Sequence, residues 1–250
     1  MLSRLLGLAL LPPMLWLAAC APPAPPTTAE VETPIAIEAS YRLLFNEQLV
    51  GMALFELQIT EDGTYRIDAF TIPAGQMEHQ SDDEVLETSL GRLEAGAIKP
   101  QHFQHSVMRG GLFEVVGLAF DWKDHRLHVE GKDAQRDVVL LPATHDRLSY
   151  LLEAHRLALA GEGASQIQIA SPDATEQTVL EVVGKGPLEV PSGRYEALSI
   201  RRHTPDQGES RQLWFDTRLG PLPLRVLHEH GGNMIDMRLE QISRRPNDPR

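Results

Sequence analysis

Cys20 is the only cysteine in the chain, and it stands in "LWLAACAPPAPP" between an apolar run and a proline-rich one. A lone thiol closes no intramolecular disulfide, so it is read as a nucleophile or an attachment point. Histidines are the next candidates. His102 and His105 are three apart, His125 and His128 likewise, and His228 and His230 two apart. On a strand only an i, i+2 pair shares a face, so His228 and His230 alone have chelating geometry, with Glu229 turned away. Zinc needs a third or fourth ligand, which the sequence does not place, and no metal site is assigned. The acidic run "EHQSDDEVLE", Glu78 to Glu87, has carboxylates for glycosidic acid–base work or for calcium. It lacks the glycine-punctuated loop of an EF-hand, and spacing alone does not set two carboxyls across a bond, so it reads as a charged loop. Ser192 lies in a Pro-Ser-Gly turn that its neighbours explain. With no G-x-S-x-G elbow and no phosphate-binding loop, no catalytic residue is assigned and no cofactor is expected.

The flanks of Cys20 give it a role. Met1 to Arg4 carries one positive charge, Leu5 to Leu17 is apolar apart from Pro12 and Pro13, and two small residues precede the cysteine. That is the order of a secretory signal, and it is too short and too proline-broken to read as a spanning helix. Leu17-Ala18-Ala19-Cys20 resembles the lipobox of bacterial lipoproteins. The resemblance implies cleavage between Ala19 and Cys20, diacylglycerol on the Cys20 thiol, and acylation of the new N-terminus. Several acyl chains hold a protein stably where one does not, so the lipid bilayer is the first expected partner. Ala21 stands where an aspartate is the usual inner-membrane retention signal. The expected location is therefore the inner leaflet of the outer membrane, facing the periplasm. "APPAPPTTAEVETP" then reads as a solvated polyproline tether reaching up to about 40 Å.

The elements that would position any site are strands. Apolar alternation is short and broken by turns. "YRLLFNEQLVGMALFELQI" reads as two strands joined near Asn46-Glu47, with Ala53, Phe55, Leu57 and Ile59 on one face. A turn at Asp62-Gly63 leads to a third strand, a hairpin turns at Lys123-Asp124, and "TVLEVVGKGPLEVPSGRYEALSIRRH" reads as three short strands. About a dozen strands at this spacing indicate a mainly β fold, a single-domain antiparallel meander forming a barrel or half-barrel. One segment breaks the rhythm. Leu148, Leu151, Leu152, His155 and Leu159 form a helical stripe over Asp146 to Ala160, with Thr144 or Asp146 able to cap its start and Gly161 its end. The expected boundaries are 1–19 signal, 20–34 lipidated cysteine and tether, 35–243 β-rich domain, and 244–250 flexible tail.

Six pieces form a set: "YRLLFNEQLVGMALFEL", "SLGRLEAGAIKPQHF", "FDW", "DRLSYLLEAHRLALAGEG", "VPSGRYEALSI" and "LWFDTRLGPLPLRV". In this order and spacing, from about Tyr41 to Ile242, the chain resembles a widespread family of exported proteins of Gram-negative bacteria that carry a domain of unknown function. The resemblance implies an extended antiparallel β-fold with a helix and a place in the envelope. It supplies no catalytic residues.

The formal charge of −12 lacks the basic footprint of a nucleic-acid binder, and none is expected as a partner. Aromatic residues of a small barrel either fill it or line a pocket. Phe55, Phe120, Trp122, Trp214 and Leu152 are the candidate ligand-lining residues, in an inventory that also holds Phe70, Phe113 and Phe215. The function expected is a non-catalytic binding module for a hydrophobic or lipid-like envelope component, which calls for a dry cavity of several hundred Å³. The alternative is an envelope scaffold or assembly factor for a protein partner, which calls for a filled core and an apolar surface patch. A hydrolase is the third reading.

Overall fold

The structure, a computed structural model, describes residues 34–131, 135–204 and 210–245. The signal, Cys20, the tether to residue 33 and the last five residues of the tail lie outside the described residues. The first half of the chain is a meander: β1 (Ile35–Phe45), β2 (Gln48–Ile59), β3 (Thr64–Pro73), β4 (Glu84–Glu94), β5 (Ala97–Arg109), β6 (Leu112–Asp121), β7 (Arg126–Glu130) and β8 (Gln135–Val139). After β9 (Thr144–His145) and α1 (Tyr150–Ala160) comes a second meander. It comprises β10 (Ala164–Ala170), β11 (Thr175–Val190), β12 (Gly193–His203), β13 (Ser210–Phe215), β14 (Arg225–His230) and β15 (Asn233–Arg245). β15 runs two residues past the expected end of the domain.

All fifteen strands form one sheet, in the order β8 to β1 and then β15 down to β9. Every pair is antiparallel except β9 with β10. Fifteen strands at about 4.8 Å spacing trace an arc of roughly 70 Å. Yet the two edge strands, β8 and β9, are joined by residues 140–143 alone, which span no more than about 18 Å. The sheet must therefore curl until its edges nearly meet. The edges do not pair with each other, so the curl is a half-barrel with a seam.

Tight turns supply the twist. Asn46-Glu47, Ala95-Gly96, Gly110-Gly111 and Gly231-Gly232 all have both residues at positive φ, the type I′ geometry that matches right-handed strand twist. Ala53, Phe55, Leu57 and Ile59 of β2 are buried as expected. Tyr41 joins them, its ring edge-on to Phe55 at 5.3 Å and its hydroxyl donating to the Pro223 carbonyl at 2.9 Å.

Three local expectations change. The region expected as three short strands is two, because β11 runs unbroken for 16 residues. Its Gly184–Pro187 stretch reads as a break, but the register shift between Val182 and Gly184 absorbs it. Beyond Val182, whose N–H still donates to the Gly163 carbonyl, β10 no longer pairs with β11, leaving an edge where Pro187 costs no ladder bond. The acidic run is only partly a loop, since Glu84 to Glu87 belong to β4. The helix begins at Tyr150 rather than Asp146, because the Asp146 side chain gathers the Leu148 and Ser149 N–H groups into a tight turn ahead of it. It ends at Gly161, in the left-handed region as expected. Its buried face holds Tyr150, Leu151, Leu152, Ala154, Leu157 and Ala158, whereas Leu159 of the expected stripe is 62% exposed. Small Ala154 and Ala158 let the helix approach the sheet closely, and they turn that face inward. Packed against β10, β11 and β12, α1 occupies the concavity of the sheet.

The convex face carries an apolar area. Leu54, Phe70, Leu86 and Val115 lie in one cross-strand row over β2 to β6, with the buried Ser106 between Leu86 and Val115 covered by the Gln104 side chain that donates to it. Alternation from the buried Phe55 and Ala69 points this row outward. Met52 opposite Ile72 and Met108 opposite Phe113 lie beside it, and Phe113 is 66% exposed. Phe70 and Phe113 therefore belong to the outer surface and not to the interior.

Candidate functional site

The seam leaves a cleft. It is lined by the β4–β5 turn, the β6–β7 turn, the 140–143 crossing, α1 and the start of β10, with a volume of about 580 Å³. His145 forms part of its floor, placed there because β9 pairs with Gln168 and Ile169 and because the Ala143 carbonyl accepts the Gln168 N–H. The residue is 2% exposed, and its Nδ1 has no hydrogen-bond partner among the described residues. Burial pushes its pKa well down; Glu153 nearby opposes the shift and Arg156 adds to it. The imidazole is thus neutral near pH 7.

Glu153 and Arg156 sit one turn apart on α1, on the side facing the seam. Arg156 donates through Nε at 2.8 Å and Nη2 at 2.6 Å to the two Glu153 oxygens. Ser165 Oγ of β10 donates to Glu153 Oε1 at 2.9 Å. Burial works against this carboxylate, but the bonds from Arg156 and Ser165 outweigh it and hold its pKa below the usual range. The opposite wall is apolar, with Ala97, Ile98, Pro142 and Trp122. Trp122 is fixed by its Nε1–H donating to the Pro100 carbonyl at 2.6 Å and by a parallel stack on Phe120 at 6.3 Å. Lys99 also lines the cleft and bonds Glu94 at 2.9 Å. On the far side of Trp122 a second depression of about 600 Å³ includes Gln101, His102, Asp121 and Lys123. Trp122 and Lys99 line both hollows.

Behind the cleft a buried polar cluster ties α1 to the sheet. Asp146 Oδ1 accepts the N–H groups of Leu148 and Ser149, each at 2.8 Å, and Oδ2 accepts the Ser89 hydroxyl at 2.7 Å. Tyr65 Oη lies 3.4 Å from Ser89 Oγ. Gly91 leaves room for that hydroxyl, since a Cβ there would stand 2.6 Å from it.

The five candidate lining residues do not converge. Trp122 is at the cleft and Phe120 backs it. Phe55 and Leu152 are core residues. Trp214 lies on β13, its ring 5.1 Å below the Arg225 guanidinium; Arg225 in turn makes a two-point pair with the buried Asp236. His228 and His230 share a strand face, with rings parallel at 6.3 Å. His105 bonds Glu87 at 3.0 Å and His128 bonds Asp137 at 2.6 Å. Among the described residues no three His, Cys, Asp or Glu side chains form a metal-binding group. His145, Glu153, Arg156, Ser165 and Lys99 were not singled out from the sequence. Their one local signal is the Glu153/Arg156 pair at helical spacing, which by itself indicates only a solvated helix face.

A sequence family described as a protein of unknown function, DUF3108, matches residues 40–238. The chain belongs to the DUF3108 family. Its fold has a counterpart of known structure, a beta-barrel-like protein of the domain of unknown function DUF1849 from Brucella abortus. The TM-score is 0.55 at 11% identity, covering 85% of this DUF3108 chain and 98% of the other. At that identity the likeness is one of fold alone. No curated protein matches the sequence.

Proposed function

We propose that this chain is an outer-membrane lipoprotein, anchored through acylated Cys20, whose β-domain is a non-catalytic binding module for an amphipathic envelope component. One observation carries the reading: a buried polar atom without a partner, His145 Nδ1, in a cleft of ligand size. Buried polar groups in folded proteins are overwhelmingly satisfied, and pockets of about 300–1,000 Å³ with a few convergent polar groups are typical ligand sites. A ligand that lays an apolar part on Ile98, Trp122 and Pro142 and gives a polar atom to His145 completes the site. Because α1 fills the concavity, the site belongs at the seam and not inside the barrel.

Native mass spectra of the full chain purified from membranes test both halves of the reading. The expected chain lacks residues 1–19, carries acyl increments that Cys20→Ser abolishes, and holds a one-to-one adduct that organic solvent extracts. A Cys20→Ser chain that stays processed and membrane-bound refutes the anchor, and a clean unliganded mass refutes the bound component.

A second reading has its own support, the outward apolar rows of β2 to β6. Glu56 and Asp68 face each other in the adjoining row, and the chain is acidic overall. These charges favour a protein partner with an apolar centre and a basic rim over an anionic bilayer. Phe70→Glu with Leu86→Lys, an opposite-charge pair on direct cross-strand partners, is expected to remove cross-linked partners in cells while leaving the unfolding free energy within about 1 kcal/mol. An unchanged cross-linking pattern ends that reading.

A further inference from the structure

We infer that the two hollows meeting at Trp122 are one elongated site and that the polar part of its ligand is a saccharide. The inference rests on the binding reading above and adds the chemical class. The second hollow sets hydrogen-bonding side chains, among them Gln101, His102, Asp121, Lys123 and His128, beside the apolar Ala119, Phe120 and Trp122, a mixture that suits the hydroxyl groups and C–H faces of a sugar better than an acyl chain. Charge points the same way. Across both hollows Lys99, Lys123 and Arg156 face Glu94, Asp121 and Glu153, three cations against three carboxylates. Arg156 already pairs with Glu153 and Lys99 with Glu94, so the formal charge across the two hollows is balanced and the exposed Lys123 is the one cation outside these pairs among the described residues. What the pairs still offer is a dense set of donors and acceptors around an aromatic side chain.

Trp122 is built as a platform. Its N–H is tied to Pro100 and Phe120 backs its ring, so the indole is held in one orientation where the hollows join. The apolar C–H face of a sugar ring stacks on such a surface while its hydroxyls reach the polar groups on either side. One ring on Trp122 puts a following unit toward Gln101 and Lys123, and a preceding unit or an aglycone toward Ile98 and His145. Free oligosaccharide and glycolipid share this chemistry.

The test uses the chain from residue 20 onward carrying Cys20→Ser, which has neither acyl chains nor the apolar run of residues 5–17 and so removes the need for detergent. Binding is read from tryptophan fluorescence and from NMR shifts assigned to the Trp122 indole and to His145. The probes are malto-, cello- and chito-tetraose, octyl glucoside below its micelle concentration, and octanoate. Octyl glucoside or a tetraose is expected to bind at least about fivefold more tightly than octanoate, and Gln101→Ala with His102→Ala is expected to weaken the sugar probes by about fivefold while leaving octanoate unchanged. Both substituted side chains are exposed, so folding is not at stake. A tetraose that matches octyl glucoside indicates a free glycan as the source, and a glucoside that exceeds every tetraose indicates a glycolipid. Octanoate binding at Trp122 as tightly as octyl glucoside overturns the saccharide inference while leaving the binding reading intact. If no probe shifts either Trp122 or His145, both are overturned.

Discussion

Replacing Asp146 with alanine is expected to destabilise the domain by about 3–5 kcal/mol. The carboxylate is completely buried and accepts three hydrogen bonds, from the Leu148 and Ser149 N–H groups and the Ser89 hydroxyl. Alanine orphans all three donors where water does not reach them, and a buried unsatisfied group costs about 1–3 kcal/mol. It also removes the side chain that starts the helix, an effect of about 0.5–2 kcal/mol by itself. Asp146→Asn separates these contributions. Its Oδ1 keeps the two backbone bonds, and Ser89 can turn to accept from the amide, so a cost near 1 kcal/mol is expected. Burial raises the Asp146 pKa against the pull of its hydrogen bonds. The folded state therefore holds this proton more tightly than the unfolded chain does. Its contribution is present in full below the unfolded carboxylate pKa and is lost as pH rises through the folded value. The asparagine amide does not titrate and has no such loss, so Asp146→Asn should cost less at pH 7 than at pH 4. Urea midpoints at unchanged m give all three numbers. An alanine variant within about 1 kcal/mol of the parent shows that the cluster does not hold the helix to the sheet.

Much of this arrangement is legible in the sequence, and the remainder has physical reasons to be hidden. The inward set Ala53, Phe55, Leu57 and Ile59, the turn at Asn46-Glu47 and the Gly161 stop are local facts, fixed by period-two alternation and by turn chemistry. The rotation of α1 is not local. Which helical face turns inward depends on how closely the sheet lets it approach, and Ala154 and Ala158 decide that only once β10 to β12 lie opposite. Gly184 to Pro187 carry the residues of a break, and whether they interrupt a strand depends on which neighbour they would pair with. The cleft is the most distant case. Lys99 and Trp122 belong to hairpins of the first meander, whereas His145, Glu153 and Ser165 surround the start of the second. No pattern within one hairpin encodes that the sheet curls until its edges face each other, and the site exists only because it does.

Acid is expected to unfold this domain well before its surface carboxylates titrate. His155 packs at 5.9 Å from the Phe215 ring, its Nε2 has no partner, and burial takes its pKa down to about 4. His145 is shifted the same way by its own burial. In the unfolded chain both titrate near 6.5, so the unfolded state takes up protons first as pH falls. A depressed folded pKa contributes stability that is complete above the unfolded value and is lost as pH drops toward the folded one. The window is therefore about pH 6.5 to 4, and a shift from 6.5 to about 4 for His155 corresponds to about 3 kcal/mol. With His145 acting in the same direction, the loss is a large part of the roughly 5–15 kcal/mol that holds a domain together. Asp146 acts against it, because its raised pKa adds stability as pH falls. The double variant His145→Gln with His155→Gln is accordingly expected to show a much flatter profile, with the raised Asp146 pKa contributing a slope of the opposite sign. Urea midpoints at half-unit steps from pH 7.5 to 4.5 distinguish the cases. A parent protein equally stable at pH 7 and pH 5, or a double variant with the parent's slope, excludes the two histidines as the source. Inside the folded domain His145 takes up its own proton only near pH 4, so the charge this puts on the floor of the cleft should release a neutral ligand only at the acid end of the window.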